Sequence, residues 1–336
     1  MDAQQVAEIP LTPGWQYEPK WDGFRCLVFR DGKHVELQSK SGQPLARYFP
    51  ELVAAVLELS ARRFVLDSEI VVPSDDGKTL LFEALLQRIH PSESRIQKLA
   101  KQTPGVLIVF DLLVDSDGKS LVSMTLNERR KKLNTFAKEH LRQNRSMLLS
   151  PATTDPDVAK SWWKMVGNEL DGIIAKRRDM PYMTDERTGM VKVKKLRTAD
   201  CVVGGFRYAS KSKVIGSLLL GLYDDAGLLH HVGFTSGLSA AQRKELTPKL
   251  EALISPPGFT GSAPGGPSRW STERSTEWQP LKSKLVVEVQ FDHFTGGRFR
   301  HGTRLLRWRP DKAPRQCTLK QVEHDSELSL QTLAAL

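Results

Sequence analysis

The sequence predicts a mixed α+β domain followed by an all-β barrel, and three observations lead there. The chain has 336 residues, more than one hydrophobic core normally organises and enough for two. As far as residue 196, short apolar runs of strand character alternate with stretches of helical periodicity. From residue 197 onward, strand-like runs follow one another with a single helical stretch among them. The expected domains are therefore residues 1–196 and 197–336.

In the first domain, residues 26–37 read as two strands around Asp31-Gly32, a dipeptide that favours the type I′ hairpin turn. Further strands are expected at 64–72, 106–113, 172–175 and 190–193, and helices at 51–59, 80–89, 126–141 and 159–166. In the second domain, strands are expected at 202–208, 217–223 and 228–234, the last two joined by a turn at 224–227. A helix at 239–254, a Pro/Gly-rich loop at 256–267 and strands at 285–291 and 304–309 follow. Five strands with one interposed helix suit an OB-type barrel.

Apolar content of 40% and charged content of 26% are ordinary globular values. A formal charge of +10 attracts a polyanion, and nucleic acid is favoured over a membrane surface. The first residues lack the basic flank and apolar core of a secretory signal, and nowhere do 18 apolar residues run together. An intracellular protein of the cytoplasm or nucleoid, with no membrane partner, is expected. Cys26, Cys201 and Cys317 are far apart, which argues against disulfides and a cysteine metal site. Neither GxxxxGK nor GxGxxG occurs, so phosphate must be held by side chains.

The strongest chemical feature is Glu18-Pro19-Lys20-Trp21-Asp22-Gly23-Phe24-Arg25, which contains KxDGxR entering a strand. A lysine attacks phosphorus only as the free amine, and nearby cations or burial promote that form. Arg25 is placed to be one such cation, Gly23 to let the backbone approach a ligand, and Asp22 to fix the loop. Leu66-Asp67-Ser68-Glu69-Ile70 and Leu170-Asp171-Gly172-Ile173-Ile174-Ala175-Lys176 put carboxylates at strand positions, where they suit Mg²⁺ bridged to phosphate. In Met190-Val191-Lys192-Val193-Lys194, alternation puts both lysines on one face. That pair suits either a phosphate or the protection of an exposed edge. Phe110 reads either as a core residue or as a platform for a purine.

Taken in order, these segments resemble the ATP-dependent DNA ligases, within the wider group of covalent nucleotidyltransferases, over residues 15–322. The resemblance implies an adenylation domain, ATP-grasp-like in its mix of antiparallel sheets and helices, ahead of the OB-fold domain. It implies that Lys20 carries AMP and that Glu18 and Arg25 contact the nucleotide. Lys40 would contact phosphate, Phe110 would stack on adenine, and Lys192 and Lys194 would face the α-phosphate. Glu69 would serve ribose or metal, Asp171 the metal, and Arg309 and Lys312 of an RxDK motif the departing pyrophosphate. Asp171 stands where glutamate is usual, Met190 where tryptophan is usual, and Lys40 where arginine is frequent.

The cofactors implied are ATP and Mg²⁺, or Mn²⁺, and the partner is nicked duplex DNA. A monomer working in repair is expected, alongside repair or end-joining proteins. Arg207, Lys211, Lys213, Arg298, Arg300 and Arg304 are candidate DNA contacts, and residues 197–200 a candidate hinge. Two other readings fit the same residues: an RNA ligase or capping-type enzyme, and an OB-fold nucleic-acid-binding protein without catalysis.

Overall fold

The computed structural model describes residues 1–77, 79–164, 170–184, 187–265 and 277–322. The chain divides into two compact units, Met1–Lys195 and Leu196–His324. The first opens with strands β1 (Gln4–Val6), β2 (Trp15–Trp21), β3 (Phe24–Asp31) and β4 (His34–Ser39). Next come α1 (Pro50–Glu58), β5 (Arg63–Val71), α2 (Phe82–Arg88), α3 (Glu93–Gln102), β6 (Val106–Val114) and α4 (Leu126–His140). It closes with β7 (Met147–Leu149), α5 (Pro156–Lys164), β8 (Leu170–Arg177) and β9 (Met190–Lys194). These strands form two sheets, of order β1-β9-β8-β2 and β4-β3-β5-β6-β7. Pairing is antiparallel except between β1 and β9 and between β6 and β7.

Strand structure begins before the KxDGxR segment rather than after it, because Lys20 itself lies on β2. Pro19 argues against a strand in the sequence, but β2 lies at the edge of its sheet, laddered to β8 and bridged on its outer side at Tyr17 to Thr153, and at an edge a missing N–H is tolerated. The first hairpin also differs from expectation. Asp31 pairs with His34, so Gly32 and Lys33 form the turn, and only Gly32 has a positive φ, 60°. A type I′ turn needs two such residues. The polar helix α3 buries only Ile96 and Ala100, too thin a stripe to stand out. The helix expected at 159–166 runs to Lys164, and its last two residues lie outside the described ones.

Local chemistry sets several boundaries. Thr125 and Glu128 form a reciprocal capping box at the start of α4, and Pro50 opens α1 at a position where its missing N–H costs nothing. Arg30, reaching from β3, donates to the carbonyls of Val56, Leu57 and Leu59 and so satisfies the orphan end of α1. One core, including Val28, Leu37, Phe49, Leu66, Leu85, Leu133 and Phe136, fills the space between the five-stranded sheet and its helices. A second, with Tyr17, Trp21, Trp162, Ile173 and Ala175, lies between the four-stranded sheet and α5.

The second unit contains β10 (Arg197–Tyr208), β11 (Ile215–Tyr223), β12 (Leu229–Thr235) and α6 (Ala240–Glu251). β13 (Gln279–Pro280), β14 (Val286–Phe291), β15 (Phe294–Thr295), β16 (Arg298–Phe299) and β17 (Arg304–Trp308) complete it. The main sheet has the order β12-β11-β10-β14-β17. Its ends meet where Thr235 bridges Thr303 and the Thr303 N–H donates to the Phe234 carbonyl, which closes the strands into the expected OB-type barrel. A Ser239–Gln242 capping box starts α6. Of the Pro/Gly-rich loop, residues 266–267 lie outside the described ones. Residues 197–200 do not form a free hinge, since Arg197 to Asp200 pair with Phe291 to Glu288 in the β10–β14 ladder. Lys195 and Leu196 are the residues between β9 and β10 that belong to no strand.

Arg129 and Asp111, with side chains 0% and 3% exposed, form a two-pronged ion pair of 2.9 Å on each arm. Arg129→Leu strands a buried carboxylate and is expected to lower unfolding stability by about 3–5 kcal/mol. The Arg129→Leu/Asp111→Leu double variant is expected to recover most of that loss in urea titrations.

Candidate active site

Strands from both sheets of the first unit surround a cleft of about 230 Å³ whose walls include Glu18, Lys20, Arg25, Lys40, Asp67, Glu69, Phe110, Ile174, Lys176, Met190 and Lys192. Seven residues singled out in the sequence are thus brought together: Glu18, Lys20, Arg25, Lys40, Glu69, Phe110 and Lys192.

Lys20 lies opposite Gly172 on the neighbouring strand, and its ammonium sits 2.5 Å from the Asp171 carboxylate. Asp171 also holds Lys194, at 3.0 Å. Strict alternation would turn Asp171 away from Ile174 and Lys176, which line the cleft. Gly172, at φ +149°, and a register shift between Lys20 and Trp21 break that alternation. A Cβ at Gly172 would lie 1.9 Å from the Val193 carbonyl oxygen, so only glycine allows this crossing. Gly23 serves a similar purpose, since a Cβ there would lie 2.1 Å from the Ile70 carbonyl oxygen. Its close approach is to β5.

The electrostatics of Lys20 differ from the sequence expectation. Burial favours the free amine, but attraction to Asp171, the hydrogen bond to it, and the charges of Glu69 and Asp22 outweigh burial and hold the pKa above the usual lysine range. Arg25 is not the group that tunes it. Its guanidinium donates twice to Asp67, at 3.0 and 2.7 Å, and to the Tyr182 hydroxyl and the Met1 carbonyl. Tyr182 in turn donates to Asp67 at 2.7 Å. One of the five N–H groups of Arg25 is left for a ligand by these bonds.

At the other end of the cleft, Glu18 is buried and accepts from Lys176 at 2.8 Å and Gln16 at 2.7 Å. The Lys176 ammonium lies 4.7 Å from the centroid of the Phe110 ring, a cation–π contact. Phe110 is half-buried on the cleft wall rather than in the core. Lys192 and Lys194 share the cleft side of β9 while Val193 is buried behind them, so the pair does not guard an open edge. Beside Lys192, burial, Lys194 and Lys20 lower its pKa.

Glu69 is the group that points to a metal. It makes no hydrogen bond or ion pair among the described residues, and burial pushes its pKa up to about 8 against the attraction of Lys20 and Arg25. A carboxylate in that state is relieved by a cation. Mg²⁺ takes one or two carboxylates from a protein beside phosphate and water, and Glu69 fits one of those places. Asp171, the other carboxylate expected to serve the ion, is held by Lys20 and Lys194.

Lys176 and Tyr182 were given no role of their own in the sequence reading, and Asp67 only that of one strand carboxylate among several. Asp67 was legible, being two residues from Glu69 on one strand and hence on the same face. Tyr182 lies outside any strand and gives no local signal. Arg309 and Lys312 belong to the second unit. There Arg309 bonds Asp311 at 2.8 and 3.0 Å and Asp200 at 2.8 Å, and Lys312 lies 3.4 Å from Asp200.

A strand lysine held by a carboxylate, two further lysines and a cleft with an aromatic wall fit a nucleotidyl-transferring enzyme. Residues 3–194 match the model for the ATP dependent DNA ligase domain, and residues 211–312 that for the ATP dependent DNA ligase C terminal region. The chain belongs to the ATP-dependent DNA ligase family, whose members use ATP with a divalent metal. It is 44% identical to DNA ligase C2 of Mycolicibacterium smegmatis, over 96% of this chain and 93% of that one. It is 33% identical to the multifunctional non-homologous end joining DNA repair protein LigD of Mycobacterium tuberculosis, over 89% of this chain and 37% of that one. A solved structure from a study of Lig E DNA ligases superposes with a TM-score of 0.57 at 16% identity, over 92% of this chain and all of that one, a likeness of fold. Among the described residues no helix is long and apolar enough to cross a membrane.

On the expectation that Lys20 takes AMP as the free amine, AMP loading is expected to accelerate as pH rises. Asp171→Asn removes the leading attraction for the ammonium. Its pH–rate profile for AMP loading, followed by single-turnover kinetics, is expected to rise at lower pH than the wild type, with a reduced maximal rate.

Proposed function

We propose that the protein seals nicks in duplex DNA, between 3′-hydroxyl and 5′-phosphate ends, by way of AMP carried on Lys20. The observation that supports this most is the placement of Lys20 on β2, between Asp171 and the walls of a cleft shaped for a nucleotide. The free amine of Lys20 attacks the α-phosphorus of ATP, forming a P–N bond as the bond to pyrophosphate breaks. Asp171, already hydrogen-bonded to the ammonium, is the first acceptor for its proton. Lys192 and Lys194 offset charge on the α-phosphate, while Phe110 and Glu18 position the base. Glu69 would hold the divalent ion, whose charge neutralises phosphate oxygens.

Arg309 and Lys312, paired through Asp200, orient the departing pyrophosphate. AMP then passes to the 5′-phosphate of the nick, and attack by the 3′-hydroxyl closes the strand and frees AMP. Arg207, Lys211, Lys213, Arg298, Arg300 and Arg304 of the barrel hold the duplex, mainly through phosphates. The likeness to an end-joining repair protein supports a place in DNA repair, and we assign a monomer as the working form.

Incubation with α-labelled ATP and Mg²⁺, followed by denaturing electrophoresis, tests the reading. The wild type is expected to retain label and release it to nicked DNA as the strands join. Lys20→Ala is expected to show no label above background. Absence of covalent label on the wild type would overturn the proposal.

A further inference from the structure

Neither the KxDGxR segment nor any later motif accounts for the first residues of the chain, yet Met1, Asp2 and Ala3 line the nucleotide cleft. β1 holds them there by parallel pairing with β9, placing Gln4 opposite Val191 and Gln5 opposite Lys192. The Met1 carbonyl accepts from Arg25, and the Asp2 carboxylate lies 2.7 Å from the Lys40 ammonium. Two of the cations assigned to nucleotide or phosphate are thus engaged by this one segment. The Arg25 contact is one of several that fix that side chain, whereas the Asp2–Lys40 pair stands apart. Its side chains are 35% and 65% exposed, so it is a weak bond in open water that another anion can replace.

We infer that Asp2 is an internal competitor for Lys40: its carboxylate occupies the ammonium until a substrate phosphate takes its place, so Asp2 sets how tightly that phosphate is held. This rests on the ligase reading above. Two physical arguments carry it. A lysine ammonium is a compact point charge that exchanges one oxyanion for another without the fixed geometry of an arginine fork. β1 pairing keeps the carboxylate beside Lys40 at high local concentration, so the competitor is carried by the chain itself. The phosphate belongs either to ATP or to the 5′ end of the nick, and the experiment separates the two.

Binding is measured at equilibrium in the Lys20→Ala background, which cannot load AMP, with ATP in one arm and a nicked duplex bearing a 5′-phosphate in the other. At low salt, Asp2→Asn is expected to tighten one of the two ligands about two- to five-fold, the scale of an exposed ion pair. The gain is expected to disappear at about 0.5 M salt, where such charges are screened, and to be absent when Lys40→Gln is also present. The arm that responds names the phosphate. An equal gain with and without Lys40→Gln, or no gain in either arm, overturns the inference and leaves the ligase reading standing. Failure of the Lys20→Ala protein to bind either ligand overturns both.

Discussion

The contact on which the site depends is the carboxylate of Asp171 between two lysines, Lys20 on β2 and Lys194 on β9. Three strands of one sheet meet there, and the charge that holds them is also the charge that governs the nucleophile. Burial alone pushes Lys20 toward the free amine; Asp171 reverses that balance. The proposed nucleophile therefore rests protonated and paired. The arrangement stabilises the strand junction and postpones reactivity, two results of the same ion pair.

Around that junction, partners for charge are distributed unevenly. Asp67 is fully engaged by Arg25 and Tyr182, and Glu18 by Lys176 and Gln16. Glu69, on the same strand as Asp67, has neither hydrogen bond nor ion pair among the described residues. Satisfied groups build the walls, and Glu69, half-buried with a carboxyl pKa pushed up by its surroundings, marks where a ligand's positive charge would be favourable. The N-terminal strand adds a second kind of control, with carboxylate and carbonyl oxygens set against cations at the cleft wall.

Much of this was legible in the residues. KxDGxR, the Asp67–Glu69 pair, the Asp171–Lys176 segment and the two alternating lysines each name a chemistry, and their order along the chain matches one family. The barrel's strands and its helix followed from period and turn residues. Less legible were β2, disguised by Pro19, and α3, whose buried stripe is two residues wide. The effect of Arg25 on Lys20 was misjudged for a physical reason: five places apart in sequence says nothing of which side a long guanidinium takes, and Asp67, forty-two positions on, claims it.

By itself the sequence determined the fold class and the family, and it singled out Lys20 as the proposed nucleophile, because these rest on residue types and spacings that survive without coordinates. Tertiary structure alone decided which carboxylate each cation meets, that Glu69 stands without a partner, and that the first three residues wall the nucleotide cleft. Such facts depend on strand order and register. A shift of one residue at Gly172, permitted only by glycine's backbone freedom, turns Asp171 from the core side to the site, and no periodicity in the sequence announces it.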